Sequence, residues 1–246
     1  RRWLRPGRDG RKQGNRTTFT IPVDDDPLLH VSRRQGDKIY CESDAMVMME
    51  SNLELKGRMT GGIGRALIRQ FVQGENFFQQ HIEAVRGDGD CLLAPALPGA
   101  LEILDVGERQ YLLADGAFVA ATDGVEIDAK MQSIGNALFG GSGGFVLMTT
   151  RGKGQVAVAG FGSVFGLDVT PGKDVVIDNG HVVAWDARLR YSLSTATAQS
   201  SGLLGNLVNS VTSGEGIVLR FSGEGRVLLA SRNRAHFQNW AAPNSQ

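Results

Sequence analysis

The sequence predicts an all-β fold built from three internal repeats of short antiparallel strands. Its 246 residues include 33 glycines and are 41% hydrophobic, with many short runs of Val, Leu and Ile between glycine turns. This composition is typical of short strands joined by tight turns, and the length allows a sizeable core. Glycine landmarks recur at intervals of about 70 residues, which indicates three copies of one unit.

Three kinds of glycine mark each copy: one at an opening turn, one at a hinge before an apolar run, and one in a later hairpin. Successive intervals are 71 and 65 residues for the opening glycines, 71 and 70 for the hinges, and 65 and 71 for the hairpins. Copy by copy, the landmarks are Gly36, Gly64 and Gly87; Gly107, Gly135 and Gly152; and Gly172, Gly205 and Gly223. Because closure protects sheet edges, we expect the units to form a closed pseudo-threefold β-sandwich or barrel assembly.

The apolar runs between these glycines define the predicted strands. The run over 17–23 contains Pro22, which argues for an edge strand because proline cannot donate a hydrogen bond to a neighbour. The remaining strands, copy by copy, are 28–31, 38–42, 45–49, 77–85, 91–94 and 101–104; 111–114, 117–121, 145–149 and 156–159; and 174–177, 182–185, 217–221 and 226–230. We place the copies at about 28–105, 106–169 and 170–238, within a single domain over 17–240.

Each hinge is predicted to begin a short helix. In the first hinge, the apolar residues from Ile63 to Val72 fall on one face of such a helix. This face either packs on its own unit or contributes to an exposed apolar ring for self-association, a partner or a membrane surface. The candidate interaction surface comprises Leu67, Ile68, Phe71, Leu138, Phe139, Leu204, Leu207 and Val208.

Charge is unevenly distributed along the chain. Residues 1–16 carry a net charge of +6 and the remainder carries −6, although the whole is formally neutral. We expect the basic arm over 1–16 to be a tag remnant or a mobile segment. An acidic body disfavours binding to nucleic-acid phosphates. No apolar run reaches the ~18–20 residues that a membrane-spanning helix needs.

The sulfur-containing residues are interpreted as packing residues. Cys41 and Cys91 each adjoin strand-like sequence, so we expect two small buried hydrophobes and not a disulfide. The methionines over 46–49 are expected in the core, with a metal site or a flexible binding face as the alternative.

Two glycine-rich segments resemble catalytic or cofactor motifs. The segment 160–166 is similar to a loosened dinucleotide-binding fingerprint, but the sequence after it does not predict the required helix, so we expect a β connection. The segment 140–144 matches Gly-x-Ser-x-Gly around Ser142, but a strand and not a helix is predicted to follow it. We therefore expect a flexible hinge there.

The sequence provides no pattern for a metal centre. The four histidines, His30, His81, His181 and His236, have none of the close spacings that place two imidazoles on one strand or helix. We accordingly predict no catalytic residues, no cofactor and no metal.

The combined motifs at 36–50, 61–65, 74–78 and 93–99 resemble the mitochondrial-biogenesis family named for altered inheritance of mitochondria. The resemblance extends over residues 28–238 and is to the family's uncharacterised prokaryotic branch. It implies a fold similar to the tryptophan RNA-binding attenuation protein and no established enzymatic activity. Fungal members are tied to organisation of the mitochondrial inner membrane. Fold resemblance alone does not imply RNA binding.

These observations favour a non-enzymatic interaction or scaffold protein. We expect it to form homo-oligomers or to bind another protein, with peripheral membrane contact, and to be cytoplasmic at the inner face of a membrane. The alternative is a small-ligand-binding β module with a groove between repeats. A cupin-like enzyme is a third hypothesis, and it would need clustered histidine and carboxylate side chains.

Overall fold

The computed structural model describes residues 17–21, 27–57, 80–133, 144–195 and 217–241. These residues form nineteen strands and one α-helix, so the predicted all-β class is confirmed. The strands are β1 (Thr18–Thr20), β2 (Leu29–Arg33), β3 (Lys38–Cys41), β4 (Met46–Met49), β5 (Leu53–Gly57), β6 (Gln80–Ala84), β7 (Gly89–Leu93), β8 (Gly99–Val106), β9 (Tyr111–Ala114), β10 (Phe118–Thr122), β11 (Val125–Ser133), β12 (Gly144–Gly152), β13 (Gly154–Phe161), β14 (Val164–Val169), β15 (Val175–Asp178), β16 (Val182–Asp186), β17 (Arg190–Thr195), β18 (Ile217–Ser222) and β19 (Gly225–Ala230).

After β1, the strands fall into three consecutive groups of six: β2–β7, β8–β13 and β14–β19. In each group the first strand pairs with the sixth and the sixth with the third. The second strand pairs with the fifth, and the fifth with the fourth. All these pairings are antiparallel, and each third strand carries a one-residue bulge against its sixth strand.

Strand pairing also joins one group to the next. The second strand of the first group, β3, pairs with the third strand of the second group, β10. In the same way β9 pairs with β16. These two junctions produce sheets with the strand orders β5-β6-β3-β10-β13-β8 and β11-β12-β9-β16-β19-β14. The remaining sheets are β1-β2-β7-β4 and β15-β18-β17.

The buried side chains follow this arrangement. Among the described residues, one apolar cluster includes Val31 of the β1-β2-β7-β4 sheet and Ile82 of the neighbouring six-stranded sheet. A second cluster lies where the two six-stranded sheets face each other, and a third contains Trp185 and Phe221. Inward-facing residues of two sheets thus form each core, as in a β-sandwich.

The predicted closure of the assembly is wrong. In the described part of the chain, the sheets are open, and a closed barrel is not supported. Closure would require the second strand of the third group, β15, to pair with the third strand of the first group, β4. Among the strands that the structure describes, β15 pairs only with β18 and β4 only with β7. The groups join in one direction along the chain, so among the described strands an unmatched edge remains at each end.

Several predictions concern residues outside the described part of the chain. The basic arm over 1–16 and the hinge segments at 61–72, 133–139 and 203–208 lie wholly or mainly there, as does Ser142. The predicted hinge helices therefore stay predictions, and so do the copy boundaries. The predicted edge strand corresponds to β1, which does lie at the edge of its sheet.

A helix that the sequence interpretation missed follows the last strand. This helix, α1 (Arg234–Ala241), begins after Asn233, whose side-chain oxygen accepts hydrogen bonds from the backbone N–H groups of Ala235 and His236 at 2.9 and 3.3 Å. Asparagine is a preferred helix N-cap, so this signal was present in the sequence. Phe237 holds the helix against β13 through an edge-on contact with Phe161, with ring centroids 5.1 Å apart.

No helix of the described chain is long and apolar enough to cross a membrane.

The methionine strand is only partly a core element. Met46 and Met49 pack against the first cluster, whereas Val47 between them is 55% exposed.

The prediction of buried, unpaired cysteines is confirmed, because Cys41 and Cys91 are both free and buried. Burial raises the pKa of Cys41 to about 12 and that of Cys91 to about 11.

Both thiols should therefore be inert in the folded protein. We expect Ellman's reagent at pH 8 to label neither cysteine under native conditions and both in guanidinium chloride, since only the thiolate reacts. Cys41→Ala and Cys91→Ala variants assign the signals. Rapid native labelling of either cysteine, without loss of fold by circular dichroism, would contradict the buried assignment.

Glu42, after β3, should make stability depend on pH. Burial raises its pKa from 4.5 to about 7, against the opposing attraction of Arg234. The folded carboxyl retains its proton where the unfolded chain releases it, so stability falls as pH rises from about 4.5 to about 7. Glu42→Gln should remove this decline and be more stable by about 1–3 kcal/mol at pH 8 in urea titrations. Exposed Glu126→Gln is the control, and the same pH slope in both variants would refute the assignment.

Candidate functional site

The candidate interaction surface predicted from the sequence cannot be placed in this structure. All eight of its residues lie in segments outside the described chain: Leu67, Ile68, Phe71, Leu138, Phe139, Leu204, Leu207 and Val208. The site described below is built from other residues, none of which the sequence interpretation selected.

A cleft of about 730 Å³ opens between the second and third groups. One wall is β8 and the loop after it, including Leu104 and Arg109. The other wall combines Tyr111 of β9 with β16 and β19, which contribute Ala184 and Leu228. A volume of this size is within the usual range for ligand sites, and such sites are common where structural units meet.

Pairing between strands fixes both walls. β8 pairs with β13 over its whole length, from Gly99 to Val106, and it is the terminal strand of its sheet. The junction between β9 and β16 places Leu113 opposite Ala184 and Tyr111 opposite Asp186. Apart from the loop after β8, the cleft is therefore built on sheet backbone, which positions side chains more rigidly than loops do.

Trp185 anchors the base of the cleft from the core side. Its indole ring makes edge-on contacts with Tyr191 and Phe221, with centroid distances of 5.2 and 5.4 Å. The ring is fully buried, and its Nε1 has no hydrogen-bond partner among the described residues. Aromatic packing thus compensates for an unsatisfied donor beside the site.

Asp186, the residue after Trp185 and the last of β16, has a buried carboxylate. Arg188 donates to it from Nη2 at 2.6 Å and from Nε at 3.0 Å, and the Arg188 backbone N–H adds a third donor at 3.0 Å. Burial opposes ionisation, but these hydrogen bonds outweigh it and lower the pKa of Asp186. The carboxylate is therefore ionised and already partnered.

Arg226 of β19, on the same wall as Asp186, forms an ion pair with Asp168. The guanidinium donates from Nε at 2.7 Å and from Nη2 at 3.0 Å, and this hydrogen bonding lowers the pKa of Asp168. Nearby, burial raises the pKa of Tyr111, whereas Arg109 acts in the opposite direction. The cleft thus presents guanidinium donors above an apolar base, a combination suited to binding and orienting a ligand.

The histidines do not gather at one place. His30 Nδ1 lies 3.0 Å from Thr20 Oγ1, and His181 Nδ1 lies 2.8 Å from the Ala230 carbonyl oxygen. His81 of β6 is in edge-on contact with Tyr40 of β3, in a different sheet from His30. Within the described ranges, no group of three or more His, Cys, Asp and Glu side chains could hold a metal ion.

The glycine-rich segment 160–166 is a β connection, as predicted. β13 ends at Phe161 and β14 begins at Val164, with Gly162 between them at a φ of 77°. Gly99, the first residue of β8, lies so close to the carbonyl oxygen of Gly160 that a side chain at position 99 would collide with this oxygen. The glycines here permit close backbone packing.

The sequence contained one signal for the cleft that the interpretation did not use. Arg109 of the second group corresponds to Asp37 of the first group, and Arg226 of the third group corresponds to Gln155 of the second. This exchange becomes visible only when the groups are aligned by strand pairing.

Comparisons with known proteins agree with the resemblance found in the motifs. The family model described as mitochondrial biogenesis AIM24 matches residues 19–232. An uncharacterised protein of Streptococcus pyogenes serotype M6 is 34% identical over 241 residues, which is 95% of this chain and 93% of that protein. A crystal structure of a Streptococcus pyogenes protein is 32% identical with a TM-score of 0.75, and the match covers 92% of this chain and 98% of that one.

The match includes nearly all of the described strands, from Phe19 in β1 through the end of β19, and the bacterial relatives match over almost their full length. The chain therefore belongs to the mitochondrial biogenesis AIM24 family, as the motifs over 36–99 indicated.

Proposed function

We propose that this protein is a non-enzymatic scaffold that assembles with copies of itself through two unpaired strand edges. The observation that carries the proposal concerns β4 and β15, the third strand of the first group and the second strand of the third group. Strands at these two places in a group form the junctions inside the chain, yet neither β4 nor β15 has a junction partner among the described residues. We further infer that the three groups are copies of one unit, since their pairing orders are the same.

The two internal junctions show what a completed junction looks like. At the first, Cys41 of β3 lies opposite Ala120 of β10. At the second, Leu113 of β9 lies opposite Ala184 of β16. Three residue pairs form each junction, and the backbone hydrogen bonds extend one sheet from group to group.

The exposure of the bulge residues differs between strands with and without a junction. Val47, Val119 and Val183 each occupy the bulge of a third strand, because the register shifts around each of them. Val119 and Val183, next to completed junctions, are 1% and 3% exposed. Val47 is 55% exposed. On the complementary edge, Val176 of β15 is 53% exposed.

The internal junctions also predict the register between two molecules. Ile177 stands three residues before the turn residue Gly180, as Leu113 stands three before Gly116. Met48 follows the bulge of β4, as Ala184 follows that of β16. We therefore expect Ile177 of one copy opposite Met48 of the next. Contact of this kind is head-to-tail, so it produces a ring or a filament.

Contact with another protein or with a membrane is a separate proposal. It rests on the apolar hinge segments, including Leu67 and Leu204, which lie outside the described residues. A cytoplasmic location at the inner face of a membrane is likewise a proposal.

Charge at either edge should block assembly. We expect wild type to be oligomeric in size-exclusion chromatography with light scattering, and Val47→Lys and Val176→Lys to be monomeric, because lysine on an edge strand opposes pairing. Each position is exposed in the single chain, so at dilutions where wild type is also monomeric both variants should unfold within ±0.5 kcal/mol of wild type. Trp240→Lys on α1, 80% exposed in the wild type, is the matched control and should stay oligomeric.

Mixing the two edge variants tests the head-to-tail geometry. Val47→Lys retains an intact β15 and Val176→Lys an intact β4, so an equimolar mixture should form dimers and nothing larger. A monomeric wild type at all concentrations would refute self-assembly. Oligomers unchanged in both variants would refute these edges as the interface.

A second candidate function is ligand binding in the cleft between the second and third groups. The supporting observation is its combination of about 730 Å³, an apolar base and walls from two different groups. If this is right, Leu228→Trp should fill the base and remove binding of any ligand found by thermal-shift screening. Phe165→Trp, an exposed substitution on β14, should leave binding unchanged.

A further inference from the structure

We propose that the cleft between the second and third groups receives an extended peptide strand from a partner protein, with an aromatic residue two positions after an acidic one. The inference does not depend on self-assembly, and it specifies the ligand for the second candidate function. Its basis is that β1 already fills the corresponding groove between the first and second groups, which we call the first groove.

In the first groove, β1 adds to the outer edge of β2. Thr18, Phe19 and Thr20 lie opposite Ser32, Val31 and His30. Phe19 is 1% exposed and belongs to the same buried cluster as residues of both groups. A short strand with one aromatic anchor therefore seals this groove.

Strand register identifies the corresponding residues in the cleft. Ala157 lies opposite Ala120 after the bulge of β10, as Leu228 lies opposite Ala184 after the bulge of β16. Counting from these pairs gives a cleft residue for each of four residues that share the buried cluster of Phe19. Leu104 corresponds to Val31, Tyr111 to Ile39, Ala184 to Ala120, and Leu228 to Ala157.

Among the described residues, no strand seals the cleft as β1 seals the first groove. β8 corresponds to β2 and is the last strand of its sheet, so no described strand pairs with its outer edge. Val31 and Ile39 are completely buried in the cluster with Phe19, whereas their counterparts Leu104 and Tyr111 stay half-buried. The cleft thus combines an unpaired strand edge with an apolar base, which is the geometry of strand addition.

Two substitutions change the chemistry that the incoming strand must have. In the first groove, Asp37 Oδ2 accepts from Thr17 Oγ1 and Gln155 Oε1 accepts from the Phe19 N–H, each at 3.3 Å. The corresponding cleft residues are Arg109 and Arg226, which have only donors. A peptide in the cleft must therefore offer an acceptor where β1 has Thr17, and a carboxylate satisfies Arg109 best.

The carboxylates of the cleft limit the peptide to a single acidic residue. Asp105 and Asp186 already accept hydrogen bonds from Gln155 and Arg188. Glu102 and Glu108 also line the cleft, so a run of acidic residues would be repelled. One carboxylate, two positions before the aromatic residue, reaches Arg109 in the register that Thr17 and Phe19 define.

Two labelled peptides test the proposal by fluorescence anisotropy with the full chain. Acetyl-Asp-Thr-Phe-Thr-Ile-amide carries the proposed acid, and acetyl-Thr-Thr-Phe-Thr-Ile-amide copies β1 and the residues beside it. Wild type should bind the acidic peptide at least tenfold more tightly. Arg109→Asp recreates the Asp37 arrangement, so it should reverse this preference.

Control measurements show whether the peptides bind in the cleft. Arg190→Asp makes the same charge change at an exposed position outside the cleft and should bind as wild type does. Replacing the peptide phenylalanine by alanine should abolish binding. The monomeric Val47→Lys variant should bind both peptides as wild type does, so failure of self-assembly would leave this result intact.

The proposal is overturned if neither peptide binds saturably at millimolar concentration to wild type and Arg109→Asp. It is also overturned if Arg109→Asp leaves the preference unchanged, or if the cleft binds a small molecule without affinity for either peptide.

Discussion

The structure depends on pairing between the second strand of one group and the third strand of the next. An unpaired strand leaves backbone donors and acceptors without partners, so every edge must be paired, covered or exposed to water. The junctions between β3 and β10 and between β9 and β16 satisfy two such edges inside the chain. They also bring neighbouring groups into contact, which creates the first groove and the cleft.

One-residue bulges allow these junctions to form. β10 and β16 each pair with the sixth strand of their own group and with the second strand of the preceding group, and a bulge adjusts their twist and side-chain direction. Val119 and Val183 lie in such bulges and are buried beside completed junctions. A single local irregularity thus allows three small sandwiches to form a continuous structure.

The sequence predicted most strands, but it missed the fourth strand of every group. β5, β11 and β17 each lie at the end of a sheet, and their outward positions carry polar residues such as Glu54, Glu126 and Ser192. The sequence analysis assigned no strand to these stretches, because no continuous apolar run marks them. The cleft could not be predicted, since Leu104, Tyr111 and Leu228 are separate in sequence and meet only through pairing.

The pairing of first with sixth strands has a consequence for synthesis of the chain. Val31 pairs with Cys91, and Leu167 pairs with Val227, so each sandwich needs contacts between residues distant in sequence. Such contacts form slowly because a long loop must close first. On the ribosome, the first sandwich cannot complete until β7 has emerged, and the β3 edge then waits for β10. During that interval, nascent chains expose the same kind of edge that two finished molecules would use to meet.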